Sequence, residues 1–177
     1  MNYDEILDKA IRRIPDFPKP GILFFDITSV LTNPPAFRHC IDRMVEIYKN
    51  KNIDAIAAIE SRGFIFAAPL AERLSLPMVL IRKKGKLPGE TYSASYSLEY
   101  GTAEIEAHKA DIKAGQNFLV IDDLIATGGT LNASKDIIQQ GGAQVKEMFG
   151  VIGIPELNYE KALAPIPVTT LVDLSEK

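Results

Sequence analysis

Apolar and polar positions follow two periodicities along the chain, and together they predict a mixed α/β protein. Short, nearly continuous apolar runs occur as AIAAIE from position 55, MVLIR from 78, FLVIDD from 118, VKEMFGVIGI from 145 and VTTLVDL from 168. Segments with apolar residues at helical spacing connect most of them. Strands of this kind, linked through helices, are typical of a mainly parallel twisted sheet that helices flank on both faces.

The helical periodicity predicts four helices. The segment 33–52 opens with prolines, which suit a first helical turn, and its apolar stripe runs from Phe37 to Tyr48. Further helices are expected at 64–74 and 130–140, although Pro69 requires a kink or a later start in the first of these. Near the N-terminus, apolar residues from Ile6 to Ile14 predict a helix that Pro15 ends.

A polar excursion interrupts the alternation of strands and helices at 82–111. The stretches YSASYSLEY and TAEIEAH alternate around Gly101, which predicts an antiparallel hairpin, and RKKGK gives the excursion a basic tip. The whole chain, 1–177, is expected to form one domain, since single cores commonly span roughly 100 to 200 residues.

Charge and composition exclude several function classes. The formal net charge is -3, and only residues 82–86 form a basic cluster, so we expect no nucleic-acid partner and favour a small anionic ligand. The acidic start does not fit a secretory signal, and no apolar run approaches the roughly 18 residues of a membrane span. The single cysteine, Cys40, is expected to pack in a helix, and the cytoplasm is the expected location.

Polar loops follow three predicted strands, and ligands of open parallel sheets bind at such strand ends. The loops are ESRG from position 60, RKKGK from 82 and DDLIATGGT from 122. In the last loop, small residues, hydroxyls and the start of a helix form a plausible cradle for a phosphate. The cradle consists of Ala126, Thr127, Gly128, Gly129 and Thr130.

Asp122 and Asp123 precede this cradle, where their charges repel each other and a phosphate. A ligand that donates hydrogen bonds, such as a sugar diol, would suit them. A Mg²⁺ ion bound to the ligand's phosphates, or a sugar carbon that gains positive charge, would suit them equally. Alternatively, one aspartate caps the following helix and the other is solvated.

The stretch VIDDLIATGGT resembles the phosphoribosyl-pyrophosphate (PRPP) motif of the type I phosphoribosyltransferases. The segments PDFPKPGILFFDIT, ESRGF, LIRKKGKLPGET, YSLEYG and LAPIPV resemble, in this order, the members of that family that use adenine. The resemblance implies the family's α/β fold with a flexible hairpin and a small hood that includes residues 1–35. It also implies transfer of a phosphoribosyl group from PRPP to adenine, giving AMP and diphosphate.

The same resemblance implies roles for individual residues. Asp122, Asp123 and the cradle would hold the ribose and its 5-phosphate. Glu99 would act in proton transfer and is the expected catalytic residue. The pyrophosphate group would be held by Arg62, Arg82, Lys83, Lys86 and Tyr100. Adenine would be held by Leu23, Phe24 and Ile154.

The resemblance further implies Mg²⁺ as a cofactor carried by PRPP, with no direct protein ligand, and a homodimer. One residue departs from the family pattern, because Phe25 stands where many members have Arg or Lys. The core-packing interpretation is favoured for Phe25. Two alternatives remain open at this point: a sister enzyme that uses another base, and a non-catalytic PRPP sensor.

Overall fold

The computed structural model describes residues 2–97 and 101–175, which form a central sheet, a smaller sheet and flanking helices. The helices are α1 Glu5–Ala10, α2 Thr28–Leu31, α3 Pro34–Tyr48, α4 Arg62–Leu74, α5 Gly129–Gln140 and α6 Tyr159–Leu163. The strands are β1 Arg12–Pro15, β2 Leu23–Asp26, β3 Ala55–Ile59, β4 Met78–Lys83, β5 Thr91–Ser97, β6 Thr102–His108, β7 Asn117–Ile125, β8 Gln144–Gly153 and β9 Val168–Asp173.

The central sheet has seven strands in the order β5-β6-β4-β3-β7-β8-β9. Strands β4, β3, β7, β8 and β9 run parallel, whereas the β5–β6 hairpin joins antiparallel to β4. All residues of β3 are buried, as expected for a central strand with both faces covered. This architecture confirms the predicted α/β fold class.

Successive residues of β3 face opposite layers of the core. Ile56 and Ala58 pack in the cluster with α3 and α4, while Ala57 and Ile59 pack in the cluster with α5. This alternation follows from the two-residue period of a strand. The sheet therefore separates two hydrophobic layers. The ends of its strands are the places where a site can form.

Helix α3 begins as predicted, with Asn33 accepting a hydrogen bond from the Ala36 N–H at 3.3 Å. Helix α4 begins at Arg62, so a later start is not the way Pro69 is accommodated. Ile65, whose carbonyl lies one turn before Pro69, is 39% exposed. The missing proline N–H removes the usual intrahelical donor to that carbonyl.

The predicted N-terminal helix ends earlier than expected. It stops at Ala10, and β1 then pairs antiparallel with β2, with Ile14 opposite Phe24. The helical spacing of Ile14 was therefore misleading, because pairing with β2 satisfies the backbone in another way. The resulting two-stranded sheet brings the segment before Asp26 together with the main body of the fold.

The excursion forms the predicted hairpin, in which β5 and β6 pair from Thr91 opposite His108 to Ser97 opposite Thr102. The prediction that residues 82–86 form its basic tip is wrong, because they lie at the end of β4 and in the connection to β5. The hairpin lies along α5, and the Gln140 side chain donates a hydrogen bond to the Ser93 carbonyl at 2.9 Å. Across residues 2–97 and 101–175, none of the helices combines the length and the hydropathy needed to cross a membrane.

Candidate active site

The carboxyl ends of β3, β4 and β7 meet at one edge of the sheet, where they surround a cavity of about 310 Å³. Ile59 ends β3 and residues 60–62 follow it, Lys83 ends β4, and residues 122–124 belong to β7. Tyr96 of the hairpin and Thr130 of α5 complete the lining. The three polar loops predicted from the sequence are thus brought together.

A second cavity of about 90 Å³ contains the predicted phosphate cradle. It is lined by Asp122 and residues 124–131, so it shares Asp122, Leu124 and Thr130 with the larger cavity. Gly128 has a φ of +84°, and a Cβ there would lie 2.9 Å from Leu163 Cγ. Glycine is required here for both backbone conformation and space.

Arg62 pairs with one member of the acid pair. Its Nε donates a hydrogen bond to Asp123 Oδ2 at 2.5 Å, and the Asp123 side chain is only 6% exposed. Burial alone would lower the pKa of Arg62, but the hydrogen bond and the charge of Asp123 raise it. The sequence interpretation did not foresee this pair, which supplies part of the positive charge that the two acids require.

Asp122 is in a different electrostatic position. Withdrawal from water and the neighbouring Asp123 carboxylate raise its pKa well above the ordinary value. Its Oδ1 accepts a hydrogen bond from the Asp123 N–H at 2.9 Å, which is insufficient to offset those two effects. Asp122 therefore faces the cavity as an acid whose ionised form is disfavoured until a ligand supplies donors or positive charge.

Gly63 fixes the distance between the loop after β3 and the acid pair. A Cβ at this position would lie 2.9 Å from the Ile121 carbonyl oxygen and 3.3 Å from Asp122 Cα. Both contacts are with backbone, which cannot move aside as a side-chain end can. The first turn of α4, with Arg62, thus packs directly on β7 where the two aspartates lie.

The predicted basic residues differ in where their side chains lie. Lys83 lines the cavity, while Arg82 donates to Glu60 Oε2 at 3.2 Å and to the Lys86 carbonyl at 3.3 Å. Lys84 pairs with Glu104 at 3.1 Å. Glu60 also accepts from the Lys83 N–H at 3.0 Å, and this bond, with Arg82, lowers the pKa of Glu60.

Glu106 holds the turn that follows Lys83. Its Oε1 accepts hydrogen bonds from the N–H groups of Lys86 and Leu87, both at 3.0 Å, and Oε2 accepts from Thr91 Oγ1 at 3.3 Å. Burial alone would raise the pKa of this carboxyl, but the bonds from Leu87 and Lys86 lower it overall. The basic segment is therefore anchored through its backbone.

The residues predicted to bind adenine lie on β2 and after β8. The Phe24 ring meets Phe17 edge-on, with ring centroids 5.0 Å apart. The backbone N–H of Ile154 donates to the Ile125 carbonyl at 3.0 Å, which places Ile154 beside the end of β7. Among the described residues, Leu23, Phe24 and Ile154 line neither of the two cavities.

Phe25 is 4% exposed and packs in the core cluster with α3 and α4, as the core-packing interpretation expected. Its neighbour Asp26 interacts electrostatically with Arg62 of the site. Hydrogen bonds from Thr28 lower the pKa of Asp26, and the charges of Arg12 and Arg62 add to that effect. The predicted catalytic Glu99 and the predicted pyrophosphate contact Tyr100 lie outside the described residues.

Glu60 and Tyr96 are among the residues of the cavity wall that were not predicted from the sequence. Glu60 lies in the ESRG segment but received no role, and Tyr96 lies in the alternating stretch of the hairpin. The available signal for Tyr96 was its spacing from Tyr92, because residues four apart in a strand share one face. That signal could not show that the hairpin folds back onto α5.

Comparison with known proteins identifies the class to which this fold and site belong. Residues 26–154 match the family model of the phosphoribosyl transferase domain, and the chain belongs to that family. The matched range contains the acid pair, the cradle and the segments after β3 and β4.

Within the family, the chain falls among the adenine phosphoribosyltransferases, which confirms the resemblance. An adenine phosphoribosyltransferase of Treponema denticola is 62% identical over 175 residues, covering 98% of this chain and 92% of the relative. The crystal structure of the Thermoanaerobacter pseudethanolicus enzyme has a TM-score of 0.92 at 42% identity, covering 96% of this chain and 99% of the other.

A further solved structure of a similar protein contains bound ligands. The adenine phosphoribosyltransferase of Saccharomyces cerevisiae, complexed with D-2,5-dideoxy-2,5-imino-altritol 1,6-bisphosphate and adenine, has a TM-score of 0.87 at 39% identity. The alignment covers 93% of this chain and 96% of that one. A sugar-like bisphosphate and a purine are thus bound together by a protein of closely similar fold.

Proposed function

We propose that this protein transfers the 5-phosphoribosyl group of PRPP to adenine, giving AMP and diphosphate as a purine salvage step. The observation that carries the proposal is the convergence of the acid pair, the phosphate cradle and the Arg62 loop on adjoining cavities. The relatives that share this fold over nearly the whole chain support adenine as the acceptor.

The two adjoining cavities support a proposal in which each holds a different part of PRPP. In our proposal, residues 126–130 hold the 5-phosphate through backbone N–H groups and threonine hydroxyls, next to the positive end of α5. Asp122 and Asp123 accept hydrogen bonds from the ribose diol. Arg62 and Lys83 neutralise the diphosphate, with Arg82, Lys86 and Tyr100 as further proposed contacts.

The chemistry follows from where charge develops. As the bond from C1 of the ribose to the diphosphate oxygen breaks, C1 gains positive charge and the leaving group retains the electron pair. The adjacent carboxylates favour the first charge, and Arg62 with Lys83 favours the second. N9 of adenine then supplies the electrons of the new bond and loses its proton, for which Glu99 is the proposed acceptor.

Leu23, Phe24 and Ile154 form the proposed adenine subsite. A ring such as Phe24 can stack on the purine, and backbone groups at Leu23 can read its polar edge. A 6-oxo purine would present the opposite donor pattern and leave polar groups unpaired. The hood formed by the segment 1–35 would then close one side of this subsite.

Mg²⁺ is proposed to accompany PRPP, where it would neutralise and orient the diphosphate. Among residues 2–97 and 101–175, no group of three His, Cys, Asp or Glu side chains could hold a metal by itself. Asp122 and Asp123 nevertheless offer the oxygen ligands that Mg²⁺ prefers, and this donor set fits an ion that arrives with phosphates. A homodimer in the cytoplasm completes the proposal on the strength of the family resemblance.

A panel of nucleobases tests the function directly. Purified protein with PRPP and Mg²⁺ is expected to consume adenine and to leave hypoxanthine, guanine and xanthine unchanged. Turnover of hypoxanthine without adenine would make it a sister enzyme, and binding of PRPP without any turnover would make it a sensor.

The role of Glu99 is tested separately. Glu99→Gln is expected to lower turnover far more than it weakens PRPP binding, because the residue is proposed to act on the base and not on the phosphates. Equal turnover by the variant and the parent would remove Glu99 from the mechanism.

A further inference from the structure

Two tyrosines of the hairpin contact opposite ends of helix α5. Tyr92 and Tyr96 are four residues apart on β5 and share one face of the strand. A Cβ at Gly129, where α5 begins, would lie 3.6 Å from Tyr96 Cδ2. A Cβ at Gly141, where α5 ends, would lie 3.3 Å from Tyr92 Cε2. Both rings thus lie beside the helix ends, Tyr96 at ordinary contact distance from Gly129 and Tyr92 next to Gly141, where Ile112 is nearer still.

The two ends of α5 differ in what surrounds the tyrosine. Tyr96 lines the 310 Å³ cavity together with Arg62, Lys83 and Thr130. Tyr92 lies at the end of the helix away from the cradle, with the Lys109 ammonium 5.6 Å above its ring. The first tyrosine therefore faces a polar cavity, and the second has its own cationic partner.

The chemistry of Tyr96 fits an anionic ligand. A phenol hydroxyl can donate to a phosphate oxygen, and such bonds to charged groups are stronger than neutral ones. Within residues 2–97 and 101–175, the Tyr96 hydroxyl makes no hydrogen bond to the protein. Its ring at the same time covers the side of the cradle that Gly129 leaves without a side chain.

We infer that Tyr96 is a further substrate-binding residue, which donates its hydroxyl to a phosphate oxygen of PRPP and covers the cradle with its ring. This inference rests on the proposed function, since it takes PRPP as the occupant of the two cavities. It gives the hairpin a direct part in binding through Tyr96, the first residue of the YSLEYG segment, to which the family resemblance assigned no role.

The matched variants Tyr96→Phe and Tyr92→Phe test the inference. Both remove one hydroxyl and keep the ring that packs on α5. Calorimetric titration with PRPP and Mg²⁺ is expected to show a dissociation constant about tenfold higher for Tyr96→Phe, and within twofold of the parent for Tyr92→Phe. The KM for PRPP is expected to rise in the same proportion, with the KM for adenine unchanged.

Equal PRPP affinity in Tyr96→Phe and the parent would overturn the inference. So would equal losses in both variants accompanied by equal falls in melting temperature, because packing would then explain the effect. Failure of the proposed function gives a different result, in which the parent protein binds PRPP without consuming adenine. The calorimetric comparison of the two variants still decides the role of Tyr96 in that case.

Discussion

Glu106 and Asp122 are both carboxylates withdrawn from bulk water, yet their pKa values move in opposite directions. The bonds from Leu87 and Lys86 outweigh burial and lower the pKa of Glu106, whereas burial and Asp123 raise that of Asp122. The first carboxylate is satisfied by the turn of the chain that it holds. The second has one backbone donor and a like charge beside it.

The difference separates acids that maintain the fold from acids that are arranged for a ligand. A carboxylate that meets three donors of its own chain stabilises the folded state. A carboxylate paired with another carboxylate destabilises it, and the cost is recovered only when a ligand supplies donors or positive charge. Substitutions at the two places should therefore have opposite effects on stability.

The largest effect is expected for Asp122→Asn, which should lower turnover by about 100-fold or more because a group beside the developing charge is lost. Its thermal stability should nevertheless rise. Because the pKa of Asp122 is raised in the folded state, Asp122 destabilises that state progressively as the pH rises from the unfolded-state value towards the raised pKa, so the gain of the variant should grow with pH over this window and then level off. Below the unfolded-state value of about 3.9 it should vanish.

Turnover and melting temperature measured between pH 4 and pH 8 check both parts of this prediction. Asparagine keeps the oxygen that accepts from the Asp123 N–H, which limits structural side effects. A variant that is less stable than the parent at pH 8 would contradict the contrast between the two acids.

A smaller effect is expected for Arg62→Gln. Asp123, whose side chain is 6% exposed, would lose its cationic partner and face Asp122 unpaired. We expect a stability loss of about 1 kcal/mol, because Arg62 itself is half-exposed and partly screened, and turnover about tenfold lower. Denaturant unfolding and steady-state kinetics measure the two quantities.

The control is Arg73→Gln, which removes the exposed pair of Arg73 with Asp42 and should leave turnover unchanged. In the double variant Arg62→Gln with Asp123→Asn, stability should recover part of the loss. Additive losses in that cycle would show that the two side chains do not interact.

Glu106→Gln should lower the free energy of unfolding of the substrate-free protein. The amide cannot accept the same set of bonds, and we expect a loss of about 1 to 2 kcal/mol at neutral pH. Because the pKa of Glu106 is lowered in the folded state, its stabilisation is present above the unfolded-state value of about 4.3 and is lost as the pH falls through the folded-state value. Denaturant unfolding at pH 7 and pH 3 checks this.

Glu104→Gln is the matched control, since Glu104 lies two residues away on β6 and pairs with Lys84 at the surface. It should leave the unfolding midpoint almost unchanged at both pH values. A midpoint of Glu106→Gln that equals the parent's at pH 7 would contradict the structural role assigned to Glu106.

The smallest effect concerns adjacent lysines. Lys83→Met should raise the KM for PRPP several-fold, because Lys83 lines the cavity, and Lys84→Met should leave it unchanged. Steady-state kinetics with PRPP as the varied substrate compares them. Similar values for both variants would mean that the basic segment acts through its overall charge.

The main sheet could be predicted because its strands are short apolar runs, and β3 is buried along its whole length. The acid pair and the cradle could be predicted because their residues are adjacent in sequence. The partnership of Arg62 with Asp123 could not, since 61 positions separate the two and the register of neighbouring strands brings them together.

The N-terminal segment shows a second limit of sequence reasoning. The spacing of Ile11 and Ile14 suits a helix, and only the pairing of β1 with β2 makes it extended. Tyr96 shows a third limit, because strand periodicity gives the face of a side chain but not the surface that this face meets.

The contact at Gly63 has a mechanical consequence. Since the start of α4 lies against the backbone of β7 with no space for even a methyl group, the loop after β3 and the acid pair must behave as one rigid unit. If any part of the protein moves to enclose a substrate, it then has to be the β5–β6 hairpin or the two-stranded N-terminal sheet. The charged groups at the start of α4 and at the end of β7 are thus kept in a fixed register with one another.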